Sequence, residues 1–454
     1  MRIAGRIYAR RMTRRDGWMF GPWTIHCSPA GNDTTGDGTY LNPYFSPGKA
    51  ATIMHDTTGG YTCFCRGGTY ALTTEAQLSL HVGVSGSAAA PFVFREFPGE
   101  RPKLSYSDGA LLAGINMLQS TFIHVRGFEV LLGGAVQGAT IQESSDCILE
   151  ACEIWSASPA AGQIGVQVQS RPTASGGATD RNTIRDNHFH DLGQEAMYVK
   201  KWLDNADSVD ANIFERNLVT GSMLGETFQN TNNLAGKPLP SNTVFRNNVT
   251  RATMSGAGNE GAAHIQYNGT IIDGNIWIGS GGSVGCLTGS LTAASLLPSF
   301  IRNNLIIWSV NTAASAGGIY ISDGNASGTL NMYHNTIVGF TNPGAGNGFG
   351  MYLHDKPGTY NIKNNIVASC DFRQIQVGET PGTIDADYNN VYGTTGITGD
   401  NAQTGDPAFA DSTEYRLSAA SPGLSSGLGG LVAYDLNRRP RDATNPDMGC
   451  HEYS

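Results

Sequence analysis

Apolar residues in this chain come in short runs in which they alternate with polar residues, and Gly, Asn, Ser and Thr separate the runs. Period-two alternation over a few residues, bounded by turn formers, predicts short strands rather than helices. One phrase recurs through the pattern. It opens with Ile184-Arg-Asp-Asn187, Phe214-Glu-Arg-Asn217 and Phe245-Arg-Asn-Asn248. It continues with Ile272-Asp-Gly-Asn275, Ile301-Arg-Asn-Asn304 and Met332-Tyr-His-Asn335. Ile362-Lys-Asn-Asn365 and Ala386-Asp-Tyr-Asn-Asn390 close it. Successive asparagines of the series lie 25 to 31 residues apart. A period in that range marks stacked supersecondary units. One unit cannot bury its apolar face alone, whereas a stack can, each strand pairing with its counterpart one rung away at ~4.8 Å. The repeated Asn then has a physical role. Its amide donates to one neighbouring rung and accepts from the other, so the side chains form a ladder through the stack.

This pattern resembles the right-handed parallel β-helix of the pectin-lyase-like superfamily, which includes secreted polysaccharide lyases and phage tailspike-type proteins. The resemblance implies an all-β solenoid of about ten to eleven coils with an N-terminal capping helix and a C-terminal cap. It leaves the chemistry open, because the fold hosts lyases, hydrolases, epimerases and viral spikes. The opening segment fits the same family. Ser46 offers an N-cap with Pro47 at the first helical position, and Tyr61-Thr-Cys-Phe-Cys65 reads as a first-coil strand. Gly405-Asp-Pro-Ala-Phe409 and the run from Pro446 to Tyr453 resemble its terminal segment. An open solenoid end exposes core and unpaired strand edge, so caps are expected. The chain therefore divides into a basic arm (1–22), a β-helix with its N-terminal cap (23–400) and a C-terminal cap segment (401–454).

Composition narrows the partners. Only 15% of residues are charged and 59 are Gly, which suits a turn-rich β architecture. The net charge of −9 argues against non-specific nucleic-acid binding. No apolar run approaches the length of a membrane-spanning helix. The eight cysteines are scattered, without paired CxxC spacing, and are expected to be reduced, buried, small apolar residues. Cys152 takes the ladder position one coil before Asn187. Residues 1–20 carry Arg2, Arg6, Arg10, Arg11, Arg14 and Arg15 and no apolar core of a secretory signal. The expected location is extracellular or on a virion surface. The arm is either a docking element for an acidic partner or a plain tail.

Candidate chemistry follows from aligning the strand that opens each coil: Gly165–Gln169, Ala196–Lys200, Gly225–Gln229, Ala262–Gln266, Gly318–Ser322, Gly350–His354 and Arg373–Gln376. With apolar positions inward, one outward column reads Gln167, Tyr198, Thr227, His264, Tyr320, Tyr352 and Gln374. The next reads Gln169, Lys200, Gln229, Gln266, Ser322, His354 and Gln376. A one-residue slip in the Gly225 coil turns Glu226 or Phe228 outward instead. Aromatic faces stack on sugar rings and amides bond hydroxyls, so this face suits a sugar polymer; a sheet-stabilising aromatic ladder is the plainer reading.

A lyase reading gives Lys200 or His264 the removal of a proton beside a uronate carboxylate. Lys201 neutralises that carboxylate, and Tyr198 donates to the leaving oxygen, with Glu226 a further catalytic candidate. Adjacent strand residues face opposite sides, which counts against Lys201. Tyr320, Tyr352, His354, Gln266, Gln229 and Gln169 are the substrate-binding candidates. A hydrolase reading uses Asp323 and Asp355, at equivalent positions in two coils, matching the ~5–5.5 Å carboxylate separation of retaining glycosidases; a turn role is favoured for both. Asp204, Asp207 and Asp210 offer oxygen ligands for Ca2+ without EF-hand spacing, and a solvated turn is again favoured. His188 and His190 share a strand face beside Asp191, and a structural role is expected for them. The two functions carried forward are a polysaccharide lyase acting on an acidic glycan and a virion or cell-surface β-helix that binds host glycan. The second brings a homotrimer, or attachment to a larger assembly through the arm, as its assembly.

Overall fold

The computed structural model describes residues 24–453 apart from segments at 56–59, 74–84, 107–112, 134–136, 171–176, 203–207, 233–238, 256–260, 292–294, 296, 313, 323–327, 345–346, 355–357, 379–381 and 395. The basic arm lies outside the described residues, as do Asp204, Asp207, Asp323 and Asp355.

A complete coil places one short strand in each of three parallel sheets, which have 13, 12 and 10 strands among the described residues. In one coil these strands are Thr183–Arg185, His188–Leu192 and Met197–Lys201. In the next they are Ile213–Glu215, Leu218–Met223 and Phe228–Asn232. Adjacent coils pair parallel and in register, Ile184 against Phe214, Phe189 against Val219 and Met197 against Phe228. This is a right-handed parallel β-helix, the handedness that parallel crossovers impose.

The asparagine ladder stands at the turn from the first sheet to the second. Asn217 Oδ1 accepts from Asn187 N at 3.1 Å and from Asn187 Nδ2 at 3.0 Å, while Asn217 Nδ2 donates to Ile184 O at 2.9 Å. The same trio of bonds repeats through Asn248, Asn275, Asn304, Asn335 and Asn365. The last rung corrects the sequence reading: Asn389, not Asn390, accepts from Asn365 N at 3.0 Å. The residue before each ladder Asn has positive φ, for example Asp186 at 56°, Asn303 at 55° and Tyr388 at 52°. A left-handed residue bends the chain sharply from one sheet into the next, which explains the Asp, Asn and Gly that precede so many ladder asparagines. At the turn into the first sheet Asn182 and Asn212 begin a second ladder, Asn182 Nδ2 donating to Asn212 Oδ1 at 3.0 Å.

Inward side chains fill the prism. Phe228 stacks on Phe245 with centroids 4.2 Å apart, and Phe245 on Trp277 at 5.6 Å. All eight cysteines are buried and free, and Cys152 N donates to Asn187 Oδ1 at 2.9 Å from its place in the ladder. The helix Pro47–His55 buries Ala50, Ala51 and Met54, and Ser46 Oγ accepts from Lys49 N at 3.2 Å as its N-cap.

After the last coil the chain turns back. Gln403 N donates to Asn389 O at 2.8 Å, and the rest of the C-terminal segment runs along the ladder corner towards earlier coils. Leu428 N donates to Asn364 Oδ1 at 2.8 Å. Arg441 Nη2 reaches Asn303 Oδ1 at 2.9 Å, and Arg438 Nη2 reaches Asn247 Oδ1 at 3.0 Å. The segment is thus a strap over several rungs.

Candidate active site

Register decides which side chains meet on the outward face of the third sheet. One row runs Gln167, Tyr198, Gln229, His264, Thr288, Tyr320, Tyr352 and Gln376. The next holds Gln169, Lys200 and Thr231, then Gln266 opposite Ser290. Three assignments change. The Gly225 coil is shifted by two residues, so Gln229, not Thr227, neighbours Tyr198, and Phe228 stays in the core. The Arg373 coil shifts likewise: Gln376 pairs with Tyr352, while buried Gln374 accepts from Cys370 N at 3.0 Å. The strand Gly285–Ser290 supplies a coil between those of His264 and Tyr320.

Titratable and aromatic groups gather around Lys200. Its Nζ lies 3.6 Å from the Trp202 ring centroid and 5.3 Å from that of Tyr198. Trp202 is fixed in turn, Nε1 donating to Gln169 Oε1 at 2.7 Å and its backbone N to Ser170 Oγ at 3.0 Å. Burial brings the Lys200 pKa down to about 8, with the negative charge of Glu195 opposing the shift. Glu195, absent from the sequence reading, precedes the same strand. Carrying the Met197–Phe228 register back two residues sets it against Glu226 in the next coil, and Ala196 N donates to Glu226 O at 3.1 Å. Both glutamates are buried, at 4% and 6% exposure. Burial pushes the Glu195 carboxyl up to about 7, and the charge of Glu226 adds to the rise. Burial also raises the Tyr198 hydroxyl to about 12, against a hydrogen bond with Thr231 that lowers it. Glu195 Oε2 and Gln167 Oε1 are buried without a partner among the described residues.

The structure therefore brings together Tyr198, Lys200 and Glu226, adds Glu195 and Gln167, and keeps Gln169 as the support for Trp202. Lys201 is buried on the opposite strand parity, so the expectation that it neutralises a substrate on the outward face does not hold. His264 is half-buried two rungs from Tyr198, roughly 9.6 Å along the axis, and stands apart from the Lys200 cluster. Half-buried Gln229 pairs with it on the preceding coil, and half-buried Gln266 follows two residues on along its own strand. Further on, Tyr320, Tyr352 and His354 form one aromatic group. Tyr320 and Tyr352 meet edge to face at 5.3 Å, and His354 stacks on Tyr320 at 6.3 Å. Asp210 is a corner residue: its Oδ1 accepts from Ser241 Oγ at 2.6 Å and Asn242 Nδ2 at 2.8 Å.

A parallel β-helix with a titratable cluster on one outward sheet is the class these features define. No family model matches the chain, and no curated protein matches it in sequence. Solved structures do resemble it in fold. XylC in complex with xylose aligns with a TM-score of 0.56 at 10% identity, over 95% of this chain and 98% of that one. Pectate lyase Pel9A aligns at 0.51 and 14% identity, over 95% and 96%. The PL6 family alginate lyase AlyGC aligns at 0.50 and 12% identity, over 88% of this chain and 57% of that one.

Proposed function

We propose that the chain is a polysaccharide lyase that binds an acidic glycan along the third sheet and cleaves it at Lys200. The supporting observation is a lysine with its pKa brought down to about 8 on an outward strand, beside a tyrosine that keeps its proton. Neutral Lys200 removes the proton beside the uronate carboxylate, the C–H electrons form the new double bond, and the bond to the leaving glycosidic oxygen breaks. The Tyr198 hydroxyl gives its proton to that oxygen, and the proton taken up by Lys200 then passes through water to the tyrosinate, restoring both groups. Gln167 Oε1, buried without a partner among the described residues, accepts from a substrate hydroxyl. Tyr320, Tyr352 and His354 supply stacking surfaces further along the axis. Pectate and alginate lyases among the fold neighbours act on polyuronates, which agrees with this substrate class.

A second reading rests on a specific observation. Glu195 and Glu226 are one rung apart, and one of them is held protonated near neutral pH, the arrangement of a retaining glycosidase with its acid and nucleophile. Incubation with a panel of polysaccharides separates the readings. Absorbance of an unsaturated uronate on a polyuronate, lost in Lys200→Met, supports the lyase. New reducing ends without that absorbance, lost in Glu226→Gln, support the hydrolase. Glycan binding with neither product leaves a non-catalytic glycan-binding β-helix.

A further inference from the structure

A separate titratable cluster lies on the outward face of the second sheet, on the coil of Lys200 and the one before it. Glu153, in the strand Glu153–Ser156, pairs in register with His188, and Trp155 pairs with His190. Glu153 Oε1 is 3.6 Å from His188 Nδ1 and 3.3 Å from His190 Nε2. The outer nitrogen of each ring is engaged. His190 Nδ1 meets Asp191 Oδ2 at 2.8 Å, and His188 Nε2 meets Thr220 Oγ1 at 2.8 Å. Asp191 is itself held, its Oδ1 accepting from Ser222 N at 3.0 Å. Trp155 stacks on His190 with centroids 5.4 Å apart. Arg101 Nη2 holds Glu153 Oε2 at 2.7 Å, which leaves Oε1 for the two imidazoles.

We propose that Glu153 Oε1, His188 Nδ1 and His190 Nε2 form a binding site for a divalent transition-metal ion of the zinc type. With Nδ1–H of His190 donating to Asp191, Nε2 is turned to the anionic Glu153 Oε1, and a cation, either a second proton on the ring or a metal ion, must stand between them. Zinc bonds of about 2.0–2.1 Å in a tetrahedron set neighbouring donor atoms about 3.3–3.4 Å apart, close to the spacings found here. Carboxylate and hydroxyl partners on the outer ring nitrogens are the usual support of ligating histidines, fixing ring orientation and raising basicity. Two imidazoles and one carboxylate suit Zn2+ better than the harder Ca2+ or Mg2+. With three protein ligands at side-chain exposures of 18 to 23%, the fourth position falls to water. A bound ion ties two coils together on a face distinct from the glycan groove.

Among the described residues one other trio brings three such ligands together, the buried thiols of Cys27, Cys63 and Cys65, and the test must separate the two. Full-length protein stripped with a chelator is titrated with Co2+ and then Zn2+, following the visible absorption of Co2+. The expected result is one Co2+ per chain with four-coordinate absorption, displaced by Zn2+. His188→Ala and His190→Gln weaken binding by more than about 100-fold, and Asp191→Asn by about 10–100-fold. Asp191→Asn keeps all three ligands, so it gives a reading even if the histidine variants fold poorly. No stoichiometric uptake by the folded protein overturns the proposal. So does uptake with thiolate charge-transfer bands that survives in His190→Gln and disappears in Cys63→Ser. Neither result bears on the polysaccharide assay, which reads a different face.

Discussion

The outward faces of the second and third sheets carry their titratable groups on neighbouring rungs and treat them in opposite ways. On the second sheet acidic and basic groups meet in pairs: Arg101 with Glu153 at 2.7 Å, Lys103 with Glu129 at 2.9 Å, His190 with Asp191 at 2.8 Å. On the third sheet Glu195 and Glu226 are like charges one rung apart, and the ammonium of Lys200 rests on an indole ring. Hydrogen bonds from His188 and His190 hold the Glu153 carboxyl well below its usual range, whereas burial moves Glu195 and Lys200 towards neutral pH, where proton transfer is useful. Glu129 and Glu153 open their strands, Glu129 directly opposite Lys103, whereas Glu195 lies before its strand and is buried there.

The largest effect expected from breaking this contrast is at Lys200. Lys200→Met lowers release of unsaturated product by about 10³-fold while Tm stays near wild type. Tyr198→Phe follows at roughly 10²-fold. The wild-type rate rises with pH through about 8 as Lys200 loses its proton, and a fall above about 7 instead assigns the work to protonated Glu195. Asn217→Ala strikes both faces at once. It leaves Asn187 N and Ile184 O without their buried partners, and urea unfolding should show a loss of about 2–4 kcal/mol.

Two glutamate variants then set the faces against each other. Glu195 has a folded pKa raised to about 7 from 4.5, so the native state binds the extra proton between those values and loses stability as pH rises across them. Glu195→Gln removes that loss. It is expected to stabilise by on the order of 2 kcal/mol at pH 9 and to give no such gain below pH 4.5, read from Tm at both values. Glu153→Gln in metal-free protein moves the other way by less than about 1 kcal/mol, because its partners are partly solvated. Equal signs for the two variants would dissolve the distinction.

Much of this fold is written in the chain. A ladder Asn, a left-handed residue before it and alternating apolar positions after it recur so regularly that the coils can be counted. The misreadings have local causes. Two adjacent asparagines left the last rung ambiguous until the positive φ of Tyr388 fixed Asn389. The strand Gly285–Ser290 has too few large side chains to announce itself. The two-residue shift at Phe228 preserves strand parity, so alternation alone cannot detect it. Glu195 was missed because it lies before the strand rather than on it. Its signal was a glutamate at the same turn in successive coils, Gly193-Gln-Glu195 and Gly225-Glu226. The carboxylate beside His188 and His190 is likewise one coil back, visible only once Glu153 and His188 are set in register.

Arg438 and Asn247 are 191 residues apart in the chain and joined by one hydrogen bond; Asn303 and Arg441 are 138 apart. A stack in which each coil touches only its neighbours can fray from either end, losing one rung at a time. Threading its tail back along the ladder corner couples distant rungs, so the stack melts as a block and its denaturation is sharper than that of an unstrapped array. Cutting the chain after residue 403 should therefore broaden that transition and raise amide exchange around Asn247 as well as at the cut end.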